Sequence, residues 1–249
     1  MSWLKAIKSK PFLFDGGIGT QLQARGLDIG ETPEGWNLSH PQAIFAVHKD
    51  YLEAGAEAVT TNSFGGSPFK LKSISLENKT YEINKQAASI ARNAVTNAAY
   101  VAGSVGPTGA LLITGDIDAE AMLEGFKLQI KGLIDGGADL IIIETMSDVQ
   151  EALLALKAAR QIGHKPVICS MTFEPGARGY RTMMGTDIAS VVHTLEQNGA
   201  DVIGTNCGVG IDHAIRIVAE MRKHTTLPIL AEPNAGLPQV VDGKAQYLE

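Results

Sequence analysis

Seven short runs of apolar and β-branched residues, each followed by Gly, Asn, Asp or Pro, constrain this chain more than any other feature. They fall at residues 11–15, 58–64, 100–105, 140–145, 167–173, 202–206 and 229–232. Several are almost continuous in hydrophobicity, Leu140-Ile141-Ile142-Ile143 most clearly. A strand of that kind must be covered on both faces, which is the condition of a parallel sheet wrapped by helices. Helical spacing occupies the intervals, at 42–54, 81–98, 119–135, 148–162, 187–197 and 212–224. In 148–162, Val149, Leu153, Leu156 and Ile162 mark the apolar face, and Ser147 with Gln150 is expected to form the capping box that starts the helix.

A repeated junction supports a repeated βα unit. Ala54-Gly55-Ala56, Gly136-Gly137-Ala138 and Asn198-Gly199-Ala200 each stand between a helix and the next strand. Glycine there supplies the left-handed conformation that stops a helix. With no linker or low-complexity break, the alternation predicts one domain over residues 1–249, an α/β barrel of the (β/α)8 type. A doubly wound sheet is the alternative, but no G-x-G-x-x-G follows the first strand to support a dinucleotide site. The count stops at seven strands. The eighth strand is therefore expected to be absent, leaving a C-terminally incomplete barrel with a gap or irregular closure. An open parallel edge is a pairing hazard, so a homodimer or a swapped segment covering it is an expected consequence.

Composition excludes several classes. With 45% hydrophobic and 19% charged residues, the chain can bury a large core and is not disordered. A net charge of −6 without a basic cluster argues against a nucleic-acid surface. No apolar run approaches a membrane span, and Lys5, Lys8 and Lys10 interrupt the N-terminal apolar residues where a signal peptide would need a core. Two cysteines, Cys169 and Cys207, make no disulfide scaffold. A cytoplasmic setting is the expectation.

In such a barrel, chemistry sits at the carboxyl ends of the strands. Those ends carry Asp15, Asn62, Ser104, Glu144, Glu174, Cys207, Glu232 and Asn234. Asp15 either satisfies amides of its Gly-rich turn or faces a ligand. Glu144 ends an all-apolar run and is drawn to the edge of the core, where a cation or a ligand amine is its natural partner. Cys169 lies inside an apolar run and reads as a small buried hydrophobe. Cys207, between Asn206 and Gly208, is open to three readings: nucleophile, metal ligand or packing. His48 reads as a core-edge or surface histidine. No H-E-x-x-H and no paired C-x-x-C is present, so spacing alone does not indicate zinc. An aldolase-like barrel would need a strand-end lysine for a Schiff base, and these ends hold none.

Eight motifs, in order along nearly the whole chain, resemble the homocysteine S-methyltransferase family. They are Asp15-Gly16-Gly17-Ile18-Gly19-Thr20, Glu34-Gly35-Trp36-Asn37, residues 48–55, Thr61-Asn62-Ser63-Phe64-Gly65, residues 103–109, Glu144-Thr145-Met146-Ser147-Asp148, residues 204–208 and residues 232–238. The family includes the homocysteine-binding module of cobalamin-dependent methionine synthase and betaine–homocysteine methyltransferase. The resemblance implies a (β/α)8 barrel that transfers a methyl group to the sulfur of L-homocysteine, giving methionine. It implies substrate contacts at Asp15, Glu144, Asn62 and Ser104, with the two carboxylates holding the amino group.

It also implies Zn2+ held by three cysteines, one after the sixth strand and an adjacent pair after the eighth. Cys207 matches the first, and Asn234 is expected near the metal. The adjacent pair has no counterpart here, so little or no tightly bound zinc is expected in this chain. A shortened form of an active enzyme is the favoured explanation. A non-catalytic homocysteine-binding or partner module, or ligands borrowed from another chain, are the alternatives. A Gly-Gly-Cys-Cys-like segment encoded beyond residue 249 would favour the enzyme. The methyl donor stays open between folate–cobalamin, betaine and S-methylmethionine, and further folate- or cobalamin-binding modules in a parent protein are compatible with the resemblance.

Overall fold

The computed structural model describes residues 3–7, 10–28, 30–95, 99–236, 238–241 and 244–247. A short helix α1 (Trp3–Ala6) precedes an extended segment through Phe14, which bridges to Ala58 in parallel. Helices α2 (Ile18–Gln23), α3 (Trp36–Ser39) and α4 (Pro41–Glu53) lead to β1 (Ala58–Thr60). Next come α5 (Pro68–Leu71), α6 (Thr80–Ala94), β2 (Tyr100–Val105), α7 (Ala119–Asp135), β3 (Leu140–Met146), α8 (Val149–Ile162) and β4 (Val167–Met171). A small antiparallel hairpin, β5 (Glu174–Gly176) with β6 (Gly179–Arg181), follows before α9 (Ile188–Gln197). The chain continues through β7 (Val202–Asn206), α10 (Ile211–Arg222) and β8 (Ile229–Glu232) to a second hairpin, β9 (Pro238–Val241) with β10 (Lys244–Tyr247).

The main sheet is six-stranded and parallel, in the order β1-β2-β3-β4-β7-β8. Six of the seven expected runs are strands. The first is reduced to the single bridge at Phe14, extended by Asp15 N–H donating to the Ala58 carbonyl at 3.1 Å. Among the described residues no ladder joins β8 to that first segment, so the barrel is curled but open where an eighth strand was expected. The run at 58–64 keeps only its first three residues as strand. From Thr61 the chain turns, with Ser63 N–H on the Thr61 carbonyl and Gly66 N–H on that of Ser63. The helix expected at 81–98 runs over Thr80–Ala94, and its expected last turn, 96–98, lies outside the described residues.

Side-chain alternation produces the curl. Ile141 and Ile143 face the helices, joined by Val101, Val105, Val167, Cys169 and Met171 in one core. Leu140 and Ile142 face the other way and meet Ala102, Ile168, Val202 and Leu230. Strands β2, β3, β4, β7 and β8 thus converge on one interior, which Trp3, Phe12 and Phe14 plug with edge-on ring contacts. Each isoleucine buried this way is worth roughly 1.5–3 kcal/mol, and all four residues of the run at 140–143 are fully buried. A pocket of about 370 Å³, open to solvent, lies at this end of the interior, lined by Phe12, Phe14, Ile168, Val202 and Leu230 among others.

The repeated junctions are built as their sequence requires. Gly55, Gly137 and Gly199 stand at φ +106°, +107° and +90°. The acid that follows each one clamps the amino end of the sheet. Asp139 accepts Val101 N–H at 2.9 Å and pairs with Arg92. Asp201 accepts Val167 N–H at 2.8 Å and pairs with Arg160 at 2.7 Å. Glu57 accepts Leu13 N–H at 3.2 Å and pairs with Lys10. These charges therefore hold structure together at the end of the barrel opposite the strand-end chemistry. Helix α8 corrects one expectation: its N-cap is Asp148, whose carboxylate accepts Gln150 N–H at 2.8 Å, and not Ser147. No helix among the described residues is long and apolar enough to cross a membrane.

Candidate functional site

Asp15 leaves the first extended segment at the carboxyl end of the sheet. Both of its oxygens are engaged by Thr60, whose N–H donates at 2.8 Å and whose hydroxyl donates at 2.6 Å. The carboxylate thus caps β1 and is not consumed by its own Gly-rich turn. Burial pushes its pKa up to about 7, the Thr60 bonds oppose that rise, and the nearby Glu144 charge adds to it.

Glu144 is placed by an irregularity. Along β3, Ile143 pairs with Cys169 and Met146 with Met171, so the register shifts between them. That bulge re-aims Glu144 and Thr145. The Ser104 hydroxyl donates to Glu144 Oε1 at 2.5 Å. Ser104 is itself fixed, its N–H on Thr61 Oγ1 at 2.9 Å and its carbonyl accepting Ser63 Oγ at 2.8 Å. Burial raises the Glu144 carboxyl above its ordinary range against the pull of Ser104.

Glu232, at the end of β8, completes an acidic set. Burial first, then the charges of Glu144 and Asp15, push it up to about 8. Among the described residues no lysine or arginine contributes to any of these three shifts. Asp15 and Glu232 thus hold protons near neutral pH, Glu144 is raised in the same direction, and the three half-buried carboxyls favour an incoming cation.

Cys207 follows β7, with its N–H on the Glu232 carbonyl at 3.1 Å. Its thiol is raised by burial and by the charges of Glu144 and Glu232, so the sulfur belongs to the same acidic rim. Cys207 and Thr145 both adopt left-handed backbone, φ +56° and +59°. Such conformations cost roughly 1–3 kcal/mol each in non-glycine residues and persist only where surroundings enforce them. Asn206 lies between the two and bonds to both.

The remaining expected residues divide. Cys169 is fully buried and its thiol is pushed up to about 12, the inert hydrophobe that its flanks indicated. Asn62 spends its amide N–H groups on the Pro33 carbonyl at 2.8 Å and on Asn37 Oδ1 at 3.2 Å, fastening the 33–37 segment to the end of β1. Asn234 donates its N–H to the Val209 carbonyl at 3.3 Å, which ties the β8 loop to the Cys207 loop. His48 is neither core-edge nor surface. It is 0% exposed, and among the described residues neither ring nitrogen has a hydrogen-bond partner. Burial accordingly drops its pKa to about 4, leaving a neutral core residue. Glu232 was placed at a strand end from sequence but given no role, and Thr145 and Asn206 were not singled out as site residues. Their strand-end positions were the available signal, and only the fold shows that they converge.

Parallel strands, a curled sheet and an acidic rim carrying a thiol define a barrel-like protein whose strand ends present buried carboxyls suited to an incoming cation. Residues 12–249 match the sequence profile described as homocysteine S-methyltransferase, and the chain belongs to that family. The chain is 28% identical to methionine synthase of Mycobacterium tuberculosis (strain ATCC 25618 / H37Rv) over 261 aligned positions, which cover 98% of this chain and 22% of the relative. Against methionine synthase of Mycobacterium leprae (strain TN) the figures are 29%, 98% and 21%. The chain thus spans about a fifth of the length of these curated relatives. Its fold matches the metallated form of the homocysteine methyltransferase MmuM from Escherichia coli with a TM-score of 0.82 at 25% identity, covering 93% of this chain and 86% of that one. The oxidized form of the same protein matches at 0.78 and 25%, covering 92% and 84%.

Proposed function

We propose that this chain binds L-homocysteine at the carboxyl rim of its barrel and serves its S-methylation to methionine. The observation that carries the reading is the set of Asp15, Glu144 and Glu232 beside Cys207, with no side-chain cation among the described residues contributing to their shifts. An α-ammonium group supplies three donors and one positive charge, which matches carboxylates already oriented by Thr60 and Ser104. Seating the ammonium there sends the two-carbon side chain and its sulfur along the rim toward Cys207. In the methyl transfer, the sulfur gives up its proton to solvent and forms a bond to the methyl carbon, while the donor keeps the electron pair of the bond that breaks. Held orientation is the contribution that these residues make to that step.

Zinc is the family's means of keeping homocysteine as a thiolate, and Cys207 is the residue of this chain assigned to it. A zinc site of that kind takes four N, S or O ligands. Among the described residues no group of three His, Cys, Asp or Glu is placed to hold a metal ion, and the other thiol, Cys169, lies in the outer core. The described residues therefore do not complete a zinc site. Their chemistry is binding and orientation of the amino acid. A binding module without catalysis is the second reading, favoured by that single thiol.

The test compares two ligands on the 249-residue chain by calorimetry. L-Homocysteine is expected to bind with one-to-one stoichiometry. 4-Mercaptobutanoate keeps the thiol and carboxylate but lacks the ammonium, and is expected to bind at least about tenfold more weakly, the loss of one charged hydrogen bond or more. Equal affinities would remove the acidic rim from the account.

A further inference from the structure

Asn206 is wedged between the two left-handed residues of the rim, and its hydrogen bonds leave it one orientation. Thr145 N–H can only donate, so the atom 2.9 Å from it is the amide oxygen Oδ1. Ser170 Oγ donates to the same oxygen at 2.8 Å. The amide nitrogen must then face the other way, where Nδ2 lies 2.7 Å from Thr145 Oγ1 and 3.6 Å from Cys207 Sγ. Thr145 Oγ1 has one proton to give. With Asn206 donating to it, that proton is directed at Cys207 Sγ, 3.7 Å away. The sulfur receives two donors from a pair of residues locked to each other, and Asn206 itself is buried.

We propose that Asn206 and Thr145 are positioning residues that hold the Cys207 side chain in a single rotamer, with Sγ presented to the acidic rim. A β-branched residue in left-handed backbone is strained unless a contact compensates, and the relay is the compensating contact. Without it, Cys207 is free to exchange among staggered side-chain wells and the sulfur loses its fixed place. The inference rests on the reading of Cys207 as the sulfur-side residue of the site.

Because the chain has only two cysteines, labelling with [3-13C]cysteine gives two methylene signals, one for Cys207 and one for the buried reference Cys169. The wild-type protein is expected to show one large and one small Hα–Hβ coupling for Cys207, the signature of one rotamer. T145V preserves shape and branching but removes the hydroxyl, and the two couplings should converge while the Cys169 signal stays in place. T145S restores the hydroxyl and should restore the unequal pair. N206D is the independent variant. It keeps an oxygen for Thr145 N–H and Ser170, but offers a second acceptor that turns the Thr145 hydroxyl away from sulfur, so the couplings should converge although Thr145 is present. Averaged couplings in the wild type, unequal couplings retained in both T145V and N206D, or T145S behaving like T145V would each overturn the proposal. If T145V does not fold, N206D decides alone. Homocysteine is absent from the sample, so a failure of the amino-acid reading in calorimetry and a failure of this relay are separate results.

Discussion

Glu144→Gln is expected to raise the dissociation constant for L-homocysteine by roughly 10- to 150-fold, the ~1.5–3 kcal/mol of a hydrogen bond to a charged group. The glutamine keeps the shape and can still accept from the Ser104 hydroxyl, so positioning survives and only the charge is lost. Stability should not fall with affinity. Glu144 is a carboxyl whose burial disfavours its ionised form, so replacing it relieves a cost in the ligand-free protein. Calorimetric titration and thermal unfolding of the same preparation check both halves. Loss of affinity accompanied by a comparable loss of stability would mark Glu144 as a structural residue instead.

The second large effect is on stability against pH. Asp15 is raised in the fold to about 7 and Glu232 to about 8, both above their unfolded values. The folded state therefore holds protons that the unfolded chain has released. The contribution of each group is fully present below about pH 4 and is lost as pH rises through the folded pKa. For Asp15 alone this amounts to at most about 4 kcal/mol, and the two groups titrate together, so their losses do not simply add. His48 acts in the opposite sense. Its folded pKa of about 4 lies below the ordinary 6.5, so its contribution is present above 6.5 and is lost as pH falls toward 4. The two effects oppose each other between pH 4 and 6.5 and only the carboxyl effect remains above. Denaturant midpoints of the ligand-free chain should fall from pH 6.5 to 8.5, and Asp15→Asn should flatten that slope. A stability that rises over the same interval would contradict the burial of these carboxyls.

How much of this was legible in the sequence depends on the range over which each residue is controlled. The continuous run Leu140-Ile141-Ile142-Ile143 announced a strand covered on both faces, and the glycines at 55, 137 and 199 announced helix ends, because both signals are local. Cys169 was legible for the same reason, having apolar neighbours on both sides. The first run was over-read: around Phe14 it makes a single bridge to Ala58, and among the described residues no ladder covers its other edge. The hairpin at Glu174–Arg181 was missed because Glu174-Pro175-Gly176 carries no alternating apolar pattern. His48 was misread because helical spacing places it beside Ile44 and Leu52 but does not reveal how deeply that face is covered.

In the site, Asp15 and Glu144 were legible as carboxylates at strand ends. Convergence was not. Asn206, Thr145 and Glu232 come from β7, the bulge of β3 and the end of β8, and nothing in the local sequence around 144–145 reports a register shift. Ser104 was expected to touch the substrate, and the structure gives its hydroxyl a partner already in Glu144. Asn62 was expected in the same role and is held by Pro33 and Asn37. Thr145 and Asn206, whose use depends on each other across 61 positions of sequence, were the residues that sequence reading left out.

A protonated acidic rim that gives way to the ammonium of an amino acid must release protons, and those protons can be counted. L-Homocysteine would be titrated into the chain at pH 7 in two buffers of different ionisation enthalpy. Carboxyls raised to about 7 and about 8 must ionise to receive a cation, so binding is expected to release about one proton per homocysteine. The observed heat would then differ between the buffers by that proton's ionisation enthalpy. Identical heats in the two buffers, or proton uptake on binding, would contradict the account.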